Sequence, residues 1–315
     1  MLELFAWSST GHLTITQAAV LLAIGAIKAV SRPGLMQKLG KMYDKLSSFQ
    51  EGIISTPLNA VGNAIKGTFG SDLAAVTSGD AADFGRTTAK DASSRWKEIG
   101  LGWSAKSDED KLRYLMYPLP YQVVKVDLHA GNMPKVGEKL DKQGQVRHFM
   151  RSTESVSAKE AFDASMKWVK EHATTAYTKI KAGVEKAGDR IDLLNSAVSS
   201  YQSGLSKLAD AVHTLEDSFA QGHVRRQGGN TNIIREVNRW DEANKEGDPA
   251  TGKLGHHDFD DPNNPANKQF VQAATDTTTE LIACVFTNLD QPDDVFAAAL
   301  TQLLSVRFVY TPDGP

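Results

Sequence analysis

The chain has 315 residues, a net charge of −3, 41% hydrophobic and 23% charged residues, which is ordinary for a soluble globular protein. This charge provides no global basic field for collecting nucleic acid, so nucleic acid is not the expected partner. The single cysteine, Cys284, excludes an internal disulfide framework and a cysteine zinc site. Any metal would therefore be held by histidine, aspartate and glutamate.

The N-terminal region contains no segment that we expect to span a membrane. Its most apolar run, residues 18–30, is short and is interrupted by Lys28. Residues 1–6 lack the basic start and the long apolar middle of a signal peptide. The chain is then intracellular, exported without a cleaved leader, or numbered after processing. We expect export without a recognisable signal peptide, with a cytoplasmic location left open.

Apolar residues at helical spacing predict helices in the first half of the chain. Thr14 is a suitable N-cap for a helix over residues 15–30, so His12 is expected just ahead of that helix. A break at residues 31–34 precedes a second helix over residues 35–49. Ser107 and Asp110 have the spacing of a capping box and predict a helix to residue 117.

Two further polar residues of interest follow that helix. Residues 121–128 alternate in polarity and are expected to be extended, with Asp127 near their end. His148 is expected in a loop or at the end of an element. Both positions precede the long helices of the second half.

The second half is also predicted to be mainly helical. Long helices are expected over residues 157–182 and 189–220, then a loop over 225–230 and a helix over 232–244. Two closing helices, 267–287 and 293–306, precede an extended piece over 308–310. No linker divides the chain, so we predict a single all-α, mostly helical domain over residues 1–315.

The most informative stretch lies at the end of the 189–220 helix. His213 and Asp217 are four residues apart and therefore share one helix face, beside the apolar stripe and at the boundary between core and cleft. Gln221 and Gly222 are expected to end the helix and to bring His223 back toward that face. Imidazole and carboxylate groups are zinc ligands, although a polar helix face with a stray histidine fits the same pattern.

A polar loop over residues 248–265 repeats the four-residue spacing from histidine to aspartate. Either His256 with Asp260 or His257 with Asp261 forms this pair. A solvated acidic loop or a calcium-like cluster is the alternative, but paired histidines favour a transition metal. So many ligands suit two or three metals better than one, and clustered divalent ions are suited to displacement at a phosphate ester.

The motifs resemble the superfamily of zinc-dependent bacterial phospholipases C and fungal and plant single-strand nucleases. The superfamily's helical motif is His, three residues, Asp, five residues, His, which stands here as His213, Asp217 and His223. Trp7 and His12 match the early Trp and His of the nuclease branch. The residues around the helical motif, and residues 147–150, are most similar to those of the bacterial phosphatidylcholine-type phospholipases C.

The resemblance implies a multi-zinc site with two or three ions, in which Asp217 bridges two metals and Asp127 also acts as the general base. The implied ligands are five histidines and three aspartates: His12, Asp127, His148, His213, Asp217, His223, His256 and Asp260. In the family the early Trp is the mature N-terminus, and its free amino group binds a zinc ion. Here six residues precede Trp7, so the sequence departs from the family at this ligand. The spacing from Asp127 to His148 is longer than in the family, and His129 competes for the same role.

The function implied by the resemblance is hydrolysis of phospholipid head groups at a membrane surface by a zinc-activated water. The alternative is a single-strand nuclease, which needs stacking aromatics and a basic track to which Arg225, Arg226 and Arg235 would contribute. A further alternative is a non-catalytic binding protein with a degenerate metal site.

Overall fold

The computed structural model of the protein describes residues 9–30, 32–54, 107–128, 142–151, 156–187, 194–239 and 264–312. Helices account for 77% of these residues, which confirms the predicted helical class. A small three-stranded sheet is the one addition to it.

The described residues form nine α-helices, numbered here in chain order. They are α1 (Ser9–Val30), α2 (Pro33–Ile54), α3 (Asp108–Met116), α4 (Leu119–Leu128), α5 (Lys142–Arg147), α6 (Ala158–Ala187), α7 (Leu194–Asp217), α8 (Lys268–Thr287) and α9 (Asp293–Arg307). A short 3-10 turn, Pro265–Asn267, leads into α8. The capping box at Ser107 is present, because Ser107 and Asp110 exchange hydrogen bonds between side chain and backbone.

The segment 121–128 is helical, so the expectation of an extended segment was wrong. Helix α4 begins at Leu119, and Pro120 occupies its first turn, where a missing N–H costs no helical hydrogen bond. Val124 and Val126 are two residues apart, which suggested a strand, but both are buried residues of a helix.

The sheet lies where the sequence predicted a loop and a helix. Strands β1 (Val224–Gln227) and β2 (Asn230–Val237) are antiparallel, and β3 (Val309–Tyr310) pairs with β2 in parallel. Gly229 has a φ of 77° in the two-residue connection between β1 and β2, a conformation that glycine adopts without strain. The expected loop over 225–230 and helix over 232–244 were therefore wrong, while the extended residues at 309–310 were predicted correctly.

Helices α6 and α7 form the most extensive helix pair among the described elements. Two glycines allow this close approach. A Cβ atom on Gly183 would lie 2.9 Å from the carbonyl oxygen of Ala197, and one on Gly204 would lie 2.8 Å from the backbone nitrogen of Ile180. Helix α7 also packs against α4 and α8.

Helix α1 packs mainly against α8 and α4. Ile15, Ala19, Ala23 and Ile27 form its buried face. Its segment Gly11–Val30 is the one helix, among the described residues, that is long and apolar enough to cross a membrane by length and composition. The apolar segment is thus longer than the residues 18–30 identified from the sequence. Buried core helices also meet this criterion of length and composition.

Candidate metal centre

Four histidines and one aspartate from distant parts of the chain meet at the C-terminal end of α7. His213 and Asp217 lie in its final turns, and His12 lies in the first turn of α1. His148 follows α5 in a turn, and His223 lies in the turn before β1. All five residues are buried, with His148 at 1% exposure and the other four at 0%.

Asp217 is the centre of this cluster, because each of its oxygens faces a different set of imidazoles. Its Oδ1 lies 3.0 Å from Nε2 of His12. Its Oδ2 lies 2.9 Å from Nδ1 of His148 and 3.2 Å from Nε2 of His213. His223 is more distant, with Nδ1 at 3.9 Å from Oδ2.

The imidazoles also lie close to one another. The rings of His12 and His213 stack at 4.4 Å between centroids. Nε2 of His213 lies 3.3 Å from Nδ1 of His148. Two ligand atoms at opposite ends of one edge of a tetrahedral zinc site lie about 3.3 Å apart, given zinc–nitrogen bonds of about 2.0–2.1 Å. The distances between candidate ligand atoms in the cluster, 2.9–3.3 Å, are equal to this length or a few tenths of an ångström shorter.

His12, His213 and Asp217 could together hold a metal ion, because each offers one ligand atom and these atoms lie within 4.8 Å of one another. Oδ1 of Asp217 is fully buried and accepts no hydrogen bond from the described residues. A buried carboxylate oxygen normally has a hydrogen-bond donor or a cation beside it. The position between Oδ1 and the His12 ring therefore suits a cation.

The charge state of Asp217 also suits metal binding. Burial alone raises the pKa of its carboxyl, but the neighbouring His213, His12 and His148 outweigh this and hold the pKa well below its usual range. The carboxyl is consequently ionised without any metal present, and no proton need leave before Asp217 becomes a ligand.

The turn that carries His148 is fixed by an unusual backbone conformation. Phe149 has a φ of 53°, in the left-handed region that non-glycine residues rarely adopt. The carbonyl oxygen of His148 lies 2.6 Å from Nδ1 of His223. Because a carbonyl oxygen only accepts, Nδ1 of His223 donates, and the neutral ring then carries its lone pair on Nε2.

A second carboxylate, Glu216, lies behind the cluster and is also 0% exposed. Its Oε2 lies 2.7 Å from Nδ1 of His12. Its Oε1 accepts hydrogen bonds from the hydroxyls of Thr16 at 2.8 Å and Thr278 at 3.3 Å. Burial raises the pKa of Glu216, although the hydrogen bonds from His12 and Thr16 act in the opposite direction.

A buried arginine holds the turn that follows α7. Arg226 is 4% exposed, and it donates from Nε to the carbonyl oxygen of Ser218 at 2.7 Å and from Nη2 to Oγ of Ser218 at 2.9 Å. Its guanidinium carbon lies 3.8 Å from the centroid of the Phe219 ring. These contacts fix the chain directly after Asp217.

The structure thus brings together five of the eight residues proposed as ligands from the sequence, and it changes their setting. His12 lies inside α1 and not ahead of it. His213 and Asp217 are fully buried, so the expected position at a cleft boundary was wrong. Helix α7 ends at Asp217, four residues before the Gln221-Gly222 pair that was expected to end it.

The other three proposed ligands stay predictions. Asp127 belongs to the last turn of α4, but its side chain is not among those described. His256 and Asp260 lie outside the described residues, as do the alternative pair His257 and Asp261. Trp7 and His129 also lie outside them.

The sequence interpretation missed Glu216 and its two threonine partners. The position of Glu216 in the sequence did indicate a buried carboxylate. Glu216 lies four residues after Val212 and three before Phe219, so it falls on the predicted apolar stripe of α7. An acidic residue on a buried stripe requires a partner inside the core.

Comparisons with family models, with curated proteins and with solved structures find no match to this chain.

Proposed function

We propose that this protein is a zinc-dependent phosphoric ester hydrolase of the phospholipase C type, acting on phospholipid head groups. The observation that carries the proposal is the set of 2.9–3.2 Å distances between Asp217 and the imidazoles of His12, His148 and His213. The motif resemblance supplies the reaction class.

Asp217 is suited to bridge two metal ions, because its two oxygens face different imidazoles. Oδ1 faces His12, and Oδ2 faces His148 and His213. His223 is a candidate ligand for a second ion through Nε2, because its Nδ1 donates to the carbonyl oxygen of His148. Two or three ions, with Asp127, His256 and Asp260 as further ligands, remain part of the proposal.

Bound zinc would supply an activated water and would neutralise charge on the phosphoryl oxygens. The residues of the chain hold the ligand atoms in fixed positions and exclude bulk water from them. Asp217 adds a negative charge that is present without titration, since its pKa is held low. Asp127 is the proposed general base for the attacking water, by resemblance.

The exposed face of α1 supports a lipid substrate. The neighbouring Leu21 and Leu22 are 54% and 53% exposed on the helix that also carries His12. Exposed apolar side chains on one helix face suit contact with a lipid surface. The nuclease alternative is weakened, because Arg226 is buried against Phe219 and is not available for a basic track.

The complete burial of the cluster favours a second candidate, a binding protein in which the metal has a structural role. A closed structural site keeps water and substrate away from the metal, whereas a catalytic site leaves one position open. At 0% exposure, His12, His213 and Asp217 fit a closed site. A phosphodiesterase therefore requires access to the cluster during turnover.

The lipid hydrolase, the nuclease and the binding protein are separated by assaying the zinc-loaded chain on phosphatidylcholine vesicles and on single-stranded DNA. The proposal predicts release of diacylglycerol, no cleavage of DNA, and loss of lipid hydrolysis in Asp217→Asn. DNA cleavage would establish the nuclease alternative. A zinc-loaded chain that cleaves neither substrate would contradict both hydrolase hypotheses and favour the structural role.

A double substitution on α1 separates lipid binding from the chemistry. Leu21→Gln with Leu22→Gln is expected to weaken sedimentation with phosphatidylcholine vesicles and to leave hydrolysis of a soluble phosphocholine ester unchanged. Both side chains are more than half exposed, so folding should be unaffected. Unchanged vesicle binding would contradict the assignment of this face to lipid.

A further inference from the structure

Three helices converge on one carboxylate behind the candidate metal centre. Glu216 is on α7, Thr16 is on α1 and Thr278 is on α8. Both threonine hydroxyls donate to Oε1 of Glu216, at 2.8 and 3.3 Å. Its other oxygen, Oε2, is left facing Nδ1 of His12 at 2.7 Å.

The two nitrogens of the His12 ring face two adjacent carboxylates of one helix. Nδ1 lies 2.7 Å from Glu216, and Nε2 lies 3.0 Å from Oδ1 of Asp217. A neutral imidazole carries one proton, so only one of these nitrogens donates. A proton on Nδ1 satisfies Glu216 and leaves the Nε2 lone pair directed toward Oδ1.

A lone pair and a carboxylate oxygen 3.0 Å apart repel each other unless a proton or a cation lies between them. The short contact with Glu216 thus determines which nitrogen of His12 can bind a metal.

We propose that Glu216 is a positioning residue, which holds the His12 ring with Nδ1 protonated and so presents Nε2 as the metal ligand beside Asp217. The inference rests on the metal site within the proposed function, and not on the substrate. Thr16 and Thr278 hold the carboxylate in place by occupying its other oxygen. Carboxylate groups that orient a histidine ligand in this way raise metal affinity by about 10–100-fold.

Two substitutions at Glu216 and one matched control test the proposal. Glu216→Gln keeps an acceptor for Nδ1 but removes the charge, whereas Glu216→Leu removes both. Thr277→Val is the control, because Thr277 is a buried threonine of the same helix whose hydroxyl donates to the carbonyl oxygen of Ala273 and not to Glu216. Zinc affinity is measured by competition with a chelator, on protein whose helical circular dichroism matches that of the unsubstituted chain.

We expect zinc affinity to fall about 10–100-fold in Glu216→Leu, to be partly restored in Glu216→Gln, and to change less than about threefold in Thr277→Val. Unchanged affinity in Glu216→Gln and Glu216→Leu would overturn the proposal. If Glu216→Leu does not fold, Glu216→Gln decides alone, because its loss of charge must weaken zinc binding.

NMR of the imidazole nitrogens measures which nitrogen of His12 is protonated. Substitution of Glu216 would not change this if Glu216 only stabilised the fold. In the zinc-loaded chain we expect His12 to be protonated at Nδ1 and unprotonated at Nε2, with a mixture of tautomers in Glu216→Leu. A His12 ring protonated only at Nε2 would refute the proposal. Neither readout uses substrate, so a chain that binds zinc as expected but hydrolyses no phospholipid would refute the proposed function alone.

Discussion

Oδ2 of Asp217 lies 2.9 Å from Nδ1 of His148, although the two residues are 69 positions apart in the chain. The contact requires the end of α7 to meet the turn after α5. The residue after His148, Phe149, has a left-handed backbone conformation in that turn.

Asp217→Asn is expected to remove the stabilisation that zinc gives to the chain. A ligand present at about 100 times its dissociation constant stabilises a folded protein by about 2.7 kcal/mol. Thermal unfolding with zinc and with a chelator measures this difference. Asp210→Asn is the matched control, because Asp210 lies on the same helix and pairs with Lys207 at its surface. An equal zinc response in Asp217→Asn and in the unsubstituted chain would contradict the ligand role.

Gly204→Ala is expected to destabilise the protein by about 1–3 kcal/mol, because the new Cβ would press on α6. It would lie 2.6 Å from Cγ1 and 2.8 Å from the backbone nitrogen of Ile180. Gly25→Ala is the control, since nothing lies within 4 Å of a Cβ at that helical position. This control should be stabilising by about 0.4–1 kcal/mol. Chemical denaturation measures both, and equal effects would contradict the close packing.

Arg226→Lys is expected to cost about 2–4 kcal/mol of unfolding free energy. A lysine cannot reproduce the two hydrogen bonds that Arg226 makes to Ser218, and hydrogen bonds from charged groups contribute about 1.5–3 kcal/mol each. Arg225→Lys should change stability by less than about 0.5 kcal/mol, because Arg225 pairs with Glu236 at the surface. Urea unfolding of the two variants makes the comparison. Equal stabilities would show that Arg226 does not hold the turn after α7.

The ion pair between Arg32 and Asp290 is expected to make stability depend on pH in the acid range. Nε of Arg32 donates to Oδ2 of Asp290 at 2.7 Å, and this hydrogen bond lowers the pKa of Asp290. A lowered folded-state pKa means that the contribution is present above the ordinary value of about 3.9 and is lost as pH falls through the folded value.

Asp290→Asn should therefore reduce unfolding free energy at neutral pH, by roughly 1 kcal/mol or less because Arg32 is partly exposed. The difference should disappear in strong acid. Chemical denaturation of both chains across this range measures it. A difference that is the same at both ends of the range would contradict the pairing.

The helical architecture could be predicted from local patterns alone. The break before α2, the capping box at Ser107 and the spacing of α6, α7, α8 and α9 are all encoded in neighbouring residues. The sheet could not be predicted in the same way, because β2 is stabilised by pairing with β1 and with the distant β3. Ile234 and Val237 fit a helical spacing as well as a strand.

The sequence identified residues of the candidate site, but it did not predict that they are fully buried. The spacing of His213 and Asp217 placed two groups on one helix face. The sequence could not show that α1 and α8 cover that face, so full burial was missed. Glu216 was missed for the same reason, since its partners Thr16 and Thr278 come from those covering helices.

Elemental analysis of the purified chain tests the central claim, that the cluster around Asp217 is a metal centre, most directly. We predict at least one zinc ion per chain, rising to two or three if Asp127, His256 and Asp260 are also ligands, and loss of this zinc in Asp217→Asn. Less than one zinc ion per chain after equilibration with excess zinc would contradict the metal centre.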